Sequence, residues 1–133
     1  MSQVVVDTDV ASYIFNGHTR ATPYVQLLGD LERILSFMSI AEMRAGSITA
    51  HWGEPRRGLL EQFLQRFQVV YADNGLCTLW AGVRAVARRS GTGLSVQDAW
   101  ISATALALGA PLATNNRRDY ESIQGLRLIT LAN

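Results

Sequence analysis

The chain has 133 residues, with 12 basic and 11 acidic side chains and a formal net charge of +1. Its 48% hydrophobic and 17% charged residues make a globular composition, and one domain of this size buries roughly 70% of the surface its unfolded chain exposes. All 12 basic residues are arginine and there is one cysteine, Cys77, which excludes a lysine-dependent phosphate loop, Schiff-base chemistry, an internal disulfide and a thiolate zinc cage.

Near-neutral charge also argues against a strongly basic nucleic-acid clamp, though not against a local arginine patch. Val4-Val5-Val6 predicts a first strand, and its lack of alternation predicts burial on both faces. A helix follows from about Thr8 to Phe15, ended by Asn16-Gly17. Pro23 suits the first turn of a second helix reaching about Leu31. Ile34 to Met38 reads as a second strand, after which Ser39 opens a helix through about His51. Glu54 to Phe67 is helical, with Leu59, Leu60, Phe63, Leu64 and Phe67 at three- and four-residue spacings.

Val69-Val70-Tyr71 is a short third strand. Asn74 is expected to cap a helix to about Arg89, with Leu76, Leu79, Trp80, Val83, Val86 and Ala87 turned inward. Ser90 to Gly93 is a loop. Ser95 begins a helix ending near Gly109, Pro111 to Ala113 is a strand, and Leu126 to Leu131 is the last one. This alternation predicts a single α/β domain, residues 1–133, around a parallel sheet. The uncharged stretch from Ala99 to Asn116 has the length of a membrane span. Gly109, Pro111, Asn115 and Asn116 interrupt it, so it reads as a buried helix followed by a buried strand. No basic region precedes the valine run as in a secretory signal, and a soluble, cytoplasmic protein is expected. Cys77 is expected in the core, and Trp52, Trp80 and Trp100 in the core or an interface.

The acids fall at helix starts. Asp7 directly follows the first strand, at the carboxyl edge where open α/β sheets bind ligands, and it also suits an N-cap. Glu42 closes Ser39-Ile40-Ala41-Glu42, a capping box at the start of the helix leaving the second strand. Asp98 repeats that spacing in Ser95-Val96-Gln97-Asp98. Each acid taken alone has a structural use, and their coincidence on one edge points to function. Carboxylates gathered there repel one another and have raised pKa values unless a cation neutralises them. Oxygen-only ligands with no lysine nearby suit Mg²⁺ or Mn²⁺. After the fourth strand, Asn116 or Asp119 would complete the acidic pocket and Thr114 would orient a ligand or water, with Arg117 and Arg118 flanking. Arg84, Arg88 and Arg89 lie near a helix end, where they favour the dipole or contact phosphate.

Four blocks together carry a resemblance. Val4-Val5-Val6-Asp7-Thr8-Asp9-Val10, Ser39-Ile40-Ala41-Glu42-Met43-Arg44-Ala45-Gly46, Gln97-Asp98-Ala99-Trp100-Ile101-Ser102-Ala103-Thr104-Ala105 and Ala113-Thr114-Asn115-Asn116-Arg117-Arg118-Asp119-Tyr120 resemble PIN-domain motifs in order. They are similar in particular to the VapC toxins of bacterial toxin–antitoxin pairs. The resemblance implies a three-layer α/β/α fold around about five parallel strands, and a Mg²⁺-dependent endoribonuclease. It further implies a homodimer and a VapB-like antitoxin whose C-terminal segment covers the acidic pocket. The family's acids carry over onto Asp7, Glu42 and Asp98. At the fourth position the sequence departs from the family: many relatives have aspartate two residues after the motif's threonine, where this chain has Asn116, and Asp119 follows three residues later. Asp9 stands where the family often has asparagine.

The implied chemistry is phosphodiester hydrolysis by metal-activated water. Asp7 and Asp98 would ligate Mg²⁺, and Glu42 would ligate through water or deprotonate the attacking water. Asp119 or Asn116 would hold a second ion or its water shell. The substrate class is structured RNA with an accessible loop, tRNA or rRNA. Two other readings remain open. Asp7-Thr8-Asp9-Val10 also resembles the start of aspartyl-nucleophile phosphatases, although those normally use a lysine and Ala11 departs from their motif. A PIN-like module degraded at Asn116 would instead only bind RNA or a partner.

Overall fold

Val4, Val5 and Val6 are wholly buried in a central strand, which is why the run does not alternate. The computed structural model describes residues 2–133. Five strands, β1 (Gln3–Val6), β2 (Glu32–Ser36), β3 (Gln68–Val70), β4 (Leu112–Ala113) and β5 (Leu128–Ile129), form one sheet in the order β3-β2-β1-β4-β5. Every pairing is parallel, as the alternation of strands and helices predicts.

Among the described residues seven helices cover the sheet: α1 (Thr8–Asn16), α2 (Ala21–Leu28), α3 (Phe37–Thr49), α4 (Glu54–Leu64), α5 (Asn74–Ser90), α6 (Val96–Leu108) and α7 (Arg117–Tyr120). Side chains alternate across β1. Val4 and Val6 therefore pack with Tyr24, Leu28, Met43 and Phe63 on one face. Val5 packs with Ile101, Ala105 and Tyr120 on the other. This is the expected three-layer arrangement, with α5 laid outside α6 through Ala87, Leu94 and Ala99.

Register places the edge residues. Val6 pairs with Ala113, so Asp7 and Thr114 leave the sheet side by side, and the Asp7 N–H donates to the Ala113 carbonyl at 2.8 Å. Ser36 ends the neighbouring strand, where its hydroxyl accepts from the Met38 N–H at 3.1 Å and caps α3.

That cap corrects one expectation. β2 ends at Ser36, so Phe37 and Met38 belong to α3, and the Ser39–Glu42 box lies inside the helix instead of opening it. Both serines are good caps by type; the one that directly ends the paired strand takes the role. Similarly Asp73, not Asn74, caps α5 by accepting from the Leu76 N–H at 2.8 Å. α4 stops at Leu64, three residues before the predicted end.

Two residues expected inward are exposed, Leu79 at 37% and Val86 at 52%, and so is Leu59 of the apolar spacing on α4, at 58%. Cys77 is exposed as well. α5 meets the domain mainly through α6, so only the narrow stripe of Leu76, Trp80, Val83 and Ala87 turns in. Leu79, Val86 and Cys77 lie off it. No helix among the described residues is long and apolar enough to cross a membrane.

Tyr24, fully buried on α2, ties the C-terminal segment to the sheet. Its hydroxyl lies 2.7 Å from Asn115 Oδ1 and 3.2 Å from the Thr114 carbonyl, and accepts from the Leu131 N–H at 3.1 Å. Tyr24→Phe keeps the ring but leaves these groups unpartnered. It should lower unfolding free energy by about 1–3 kcal/mol in urea denaturation. A loss below about 0.3 kcal/mol, well under the usual worth of one hydrogen bond, would contradict this bracing role.

Candidate active site

The carboxyl edge of the sheet gathers acids from β1, α1, α3 and α6. Asp7 is only 4% exposed. It caps α1, with Oδ1 accepting from the Thr8 N–H at 2.8 Å and Oδ2 from the Thr114 hydroxyl at 2.7 Å. Asp9, in the first turn of α1, accepts from the N–H groups of Val10 at 2.6 Å and Asn115 at 3.0 Å.

Glu42 faces this edge from the second turn of α3. Thr8 Oγ1 lies 2.8 Å from Glu42 Oε1 and 2.8 Å from Ser39 Oγ. A threonine hydroxyl has one proton and accepts others. Donation to the carboxylate is the stronger bond, which leaves Ser39 free to donate to Thr8. The residues of the supposed capping box are thus joined through Thr8, not through the helix backbone.

At α6 the forward half of the box does form: the Asp98 N–H donates to Ser95 Oγ at 3.0 Å. The Asp98 carboxylate reaches the pocket, where the Tyr120 hydroxyl lies 2.9 Å from its Oδ1 and 3.2 Å from Asp7 Oδ1.

All four acids are harder to ionise than usual. Asp7 is pushed up to about 8, first by burial and then by the charge of Asp9, with Asp98 adding; the hydrogen bonds from Thr114 and Thr8 oppose this and lose. Burial raises Asp9 despite its two backbone N–H donors. Burial also raises Glu42, with Asp98 adding, and raises Asp98 itself, with Asp119 adding. Tyr120 is driven well above the ordinary tyrosine range by burial and by both carboxylates, so it remains a donor.

The two ion pairs described lie elsewhere, Arg44–Glu61 at 2.7 Å and Arg117–Glu121 at 3.3 Å, both on exposed side chains. The charges acting on Asp7, Glu42 and Asp98 are those of other acids. Oxygen donors and negative charge, with no basic group acting on these acids, fit a hard divalent cation. Among the described residues no three acids stand close enough to enclose an ion unaided. That suits a small ion which keeps several waters and takes only one or two carboxylates.

The rim is less concentrated. Asn116, Arg117, Arg118 and Asp119 are all exposed. Asp119 acts on Asp98 electrostatically. The Asn116 backbone N–H donates to Thr114 Oγ1 at 3.0 Å. Thr114 itself is buried and spends its hydroxyl on Asp7. Arg84 donates to the Leu94 carbonyl at 2.6 Å and braces the loop after α5.

Sequence reasoning missed Thr8 and Tyr120 as members of this cluster and left Asp9 without a role. Thr8 carried a weak signal, a hydroxyl directly after an edge aspartate. Tyr120 carried none, because an aromatic near the end of a domain reads as core.

The PIN domain family matches residues 4–126, and the chain belongs to that family. It is 25% identical over 125 residues to Ribonuclease VapC1 of Haemophilus influenzae, covering 92% of this chain and 93% of that one. It is 24% identical over 127 residues to the tRNA(fMet)-specific endonuclease VapC of Shigella flexneri, covering 96% of each. Among solved structures it is similar to the DNA-bound VapBC of Salmonella typhimurium, with TM-score 0.85, 24% identity and 98% of each chain covered.

The raised acids make stability depend on pH. Unfolded aspartate titrates near 3.9, whereas folded Asp7 holds its proton to about 8. Between these values the folded state binds more protons, so its extra stability is complete below about pH 4 and is lost as pH rises toward 8. The metal-free protein in EDTA should therefore melt lower at pH 8 than at pH 5, and Asp7→Asn should flatten that slope. A melting temperature that rises from pH 5 to 8 would overturn the assignment of buried, uncompensated acids.

Proposed function

We propose that this protein is a Mg²⁺-dependent endoribonuclease of the VapC type, the toxin of a cytoplasmic toxin–antitoxin pair, with Mn²⁺ able to substitute. The observation that carries the reading is the cluster of Asp7, Asp9, Glu42 and Asp98. All four are raised in pKa, with no basic group among the causes.

Asp7 and Asp98 are the residues that would hold the ion. Thr8 and Thr114 fix both oxygens of Asp7, so its carboxylate is oriented before any substrate arrives. When bound, a divalent cation supplies a Lewis acid for phosphate oxygens and acidifies water. Glu42 is half-buried and held by Thr8, and it takes the proton of the attacking water. Its raised pKa brings it closer to neutral, which suits a general base. Asp119 or Asn116, exposed at the rim, would hold a second ion or its water shell. Exposed Arg117 and Arg118 contact phosphates of the RNA. Water attack leaves 5′-phosphate and 3′-hydroxyl ends.

The substrate is structured RNA, tRNA or rRNA, opened at a loop. The Shigella flexneri relative is named for tRNA(fMet). The VapBC complexes among the similar structures favour a VapB-like antitoxin as partner, and the toxin would act as a homodimer. Two observations speak against the other readings. The chain has no lysine to stabilise a phospho-aspartate, which speaks against an aspartyl-nucleophile phosphatase. Asn116 lies at the exposed rim, so its amide does not vacate the buried cluster.

Purified protein free of antitoxin should cut RNA in Mg²⁺, and EDTA should abolish the cutting. Asp98→Asn should reduce the rate at least about 100-fold, the equivalent of roughly 3 kcal/mol of lost transition-state stabilisation. End-mapping should give 5′-phosphates. Cutting that survives EDTA and Asp98→Asn, or 2′,3′-cyclic phosphate ends, would refute the mechanism.

A further inference from the structure

Tyr120 is the side chain that joins the two acids assigned to the ion. It belongs to the four-residue helix α7, and its ring is 1% exposed among Val5, Ile101 and Leu112. Such packing fixes where the hydroxyl sits. That hydroxyl lies 2.9 Å from Asp98 Oδ1 and 3.2 Å from Asp7 Oδ1. It therefore spans the gap between an acid at the end of β1 and one in the first turn of α6.

The other contacts at these carboxylates do not span that gap. Asp7 is held from its own side by Thr8 and Thr114. Asp98 receives its backbone cap from Ser95, and its carboxylate is met from across the pocket by Tyr120. Two carboxylates left to themselves turn away from each other into water. A neutral phenol between them offers one proton and two lone pairs, so it draws both oxygens to one point at little electrostatic cost.

We infer that Tyr120 is a positioning residue for the cation site, its hydroxyl setting the separation at which Asp7 and Asp98 meet a divalent ion. This rests on the metal-site reading above. Hydrogen-bond partners of metal-ligating carboxylates typically carry a 10- to 100-fold effect on affinity. The opposite role is the natural rival: a hydroxyl standing where the ion belongs would compete with it, and removing it would tighten binding.

Tyr120→Phe deletes the hydroxyl and keeps the ring. The test is calorimetric titration of the full metal-free chain with Mn²⁺ and with Mg²⁺, wild type against variant, each checked for cooperative melting in EDTA. The expected result is an affinity at least about 10-fold weaker in a variant that still melts cooperatively. In RNA cleavage the half-saturating Mg²⁺ concentration should rise in step, while the rate at saturating Mg²⁺ returns close to wild type. A merely structural defect would not be rescued by more ion. Equal or tighter binding by the variant overturns the inference. So does a variant that fails to fold, since the hydroxyl would then be a structural brace. Wild type that binds neither ion would instead refute the metal-site reading, and the inference with it.

Discussion

Negative charge without a protein counterion, concentrated at one end of a parallel sheet, is the constraint to which the rest of this structure answers. Burying a carboxylate is unfavourable unless it is paired, hydrogen-bonded or neutralised. Asp7 is hydrogen-bonded from three directions, by Thr8, Thr114 and Tyr120. Even so, burial and the neighbouring acids outweigh those bonds and the group keeps its proton to about 8. A fold selected for stability alone would place one of the chain's 12 arginines there. Its described ion pairs are instead made on exposed side chains away from the cluster. The site is held short of neutrality, as functional sites that violate a local rule often are.

The parallel topology makes this concentration possible. In a parallel sheet every strand ends on the same edge, and the helices that follow begin there. Asp7 ends β1, Ser36 ends β2 and Thr114 follows β4, so residues more than a hundred positions apart become neighbours through strand register. The central strand that leads into Asp7 is deeply buried, with Val4, Val5 and Val6 inaccessible. The buried part of the sheet therefore orients the carboxylate proposed as an ion ligand, while the rim residues Asn116 to Asp119 sit on an exposed turn and a short helix.

Much of this was legible in the chain because it is written in local patterns. The unbroken valine run marked a doubly buried strand, and the acids at helix starts marked the edge. What was not legible depended on competition between equivalent local signals or on distant packing. Ser36 and Ser39 are equally good caps by type, and only the end of strand pairing decides between them. Leu79 and Val86 look inward by periodicity, yet α5 leans mainly on α6 and buries only a narrow stripe. Tyr120 joins the acids through a packing arrangement that brings α7 against β1 and α6. No spacing rule encodes that contact.

If this account is right, the proton on Asp7 and a divalent cation exclude each other, and their exchange can be counted. The direct measurement is Mg²⁺ titration of the metal-free protein by calorimetry, in buffers of different ionisation enthalpy, across pH 6 to 9. With Asp7 at about 8, binding near pH 7 should release about one proton per chain, and the number should fall toward zero above about pH 9. Binding at pH 7 with no proton released would contradict the claim that the acid cluster stands unneutralised until a cation arrives.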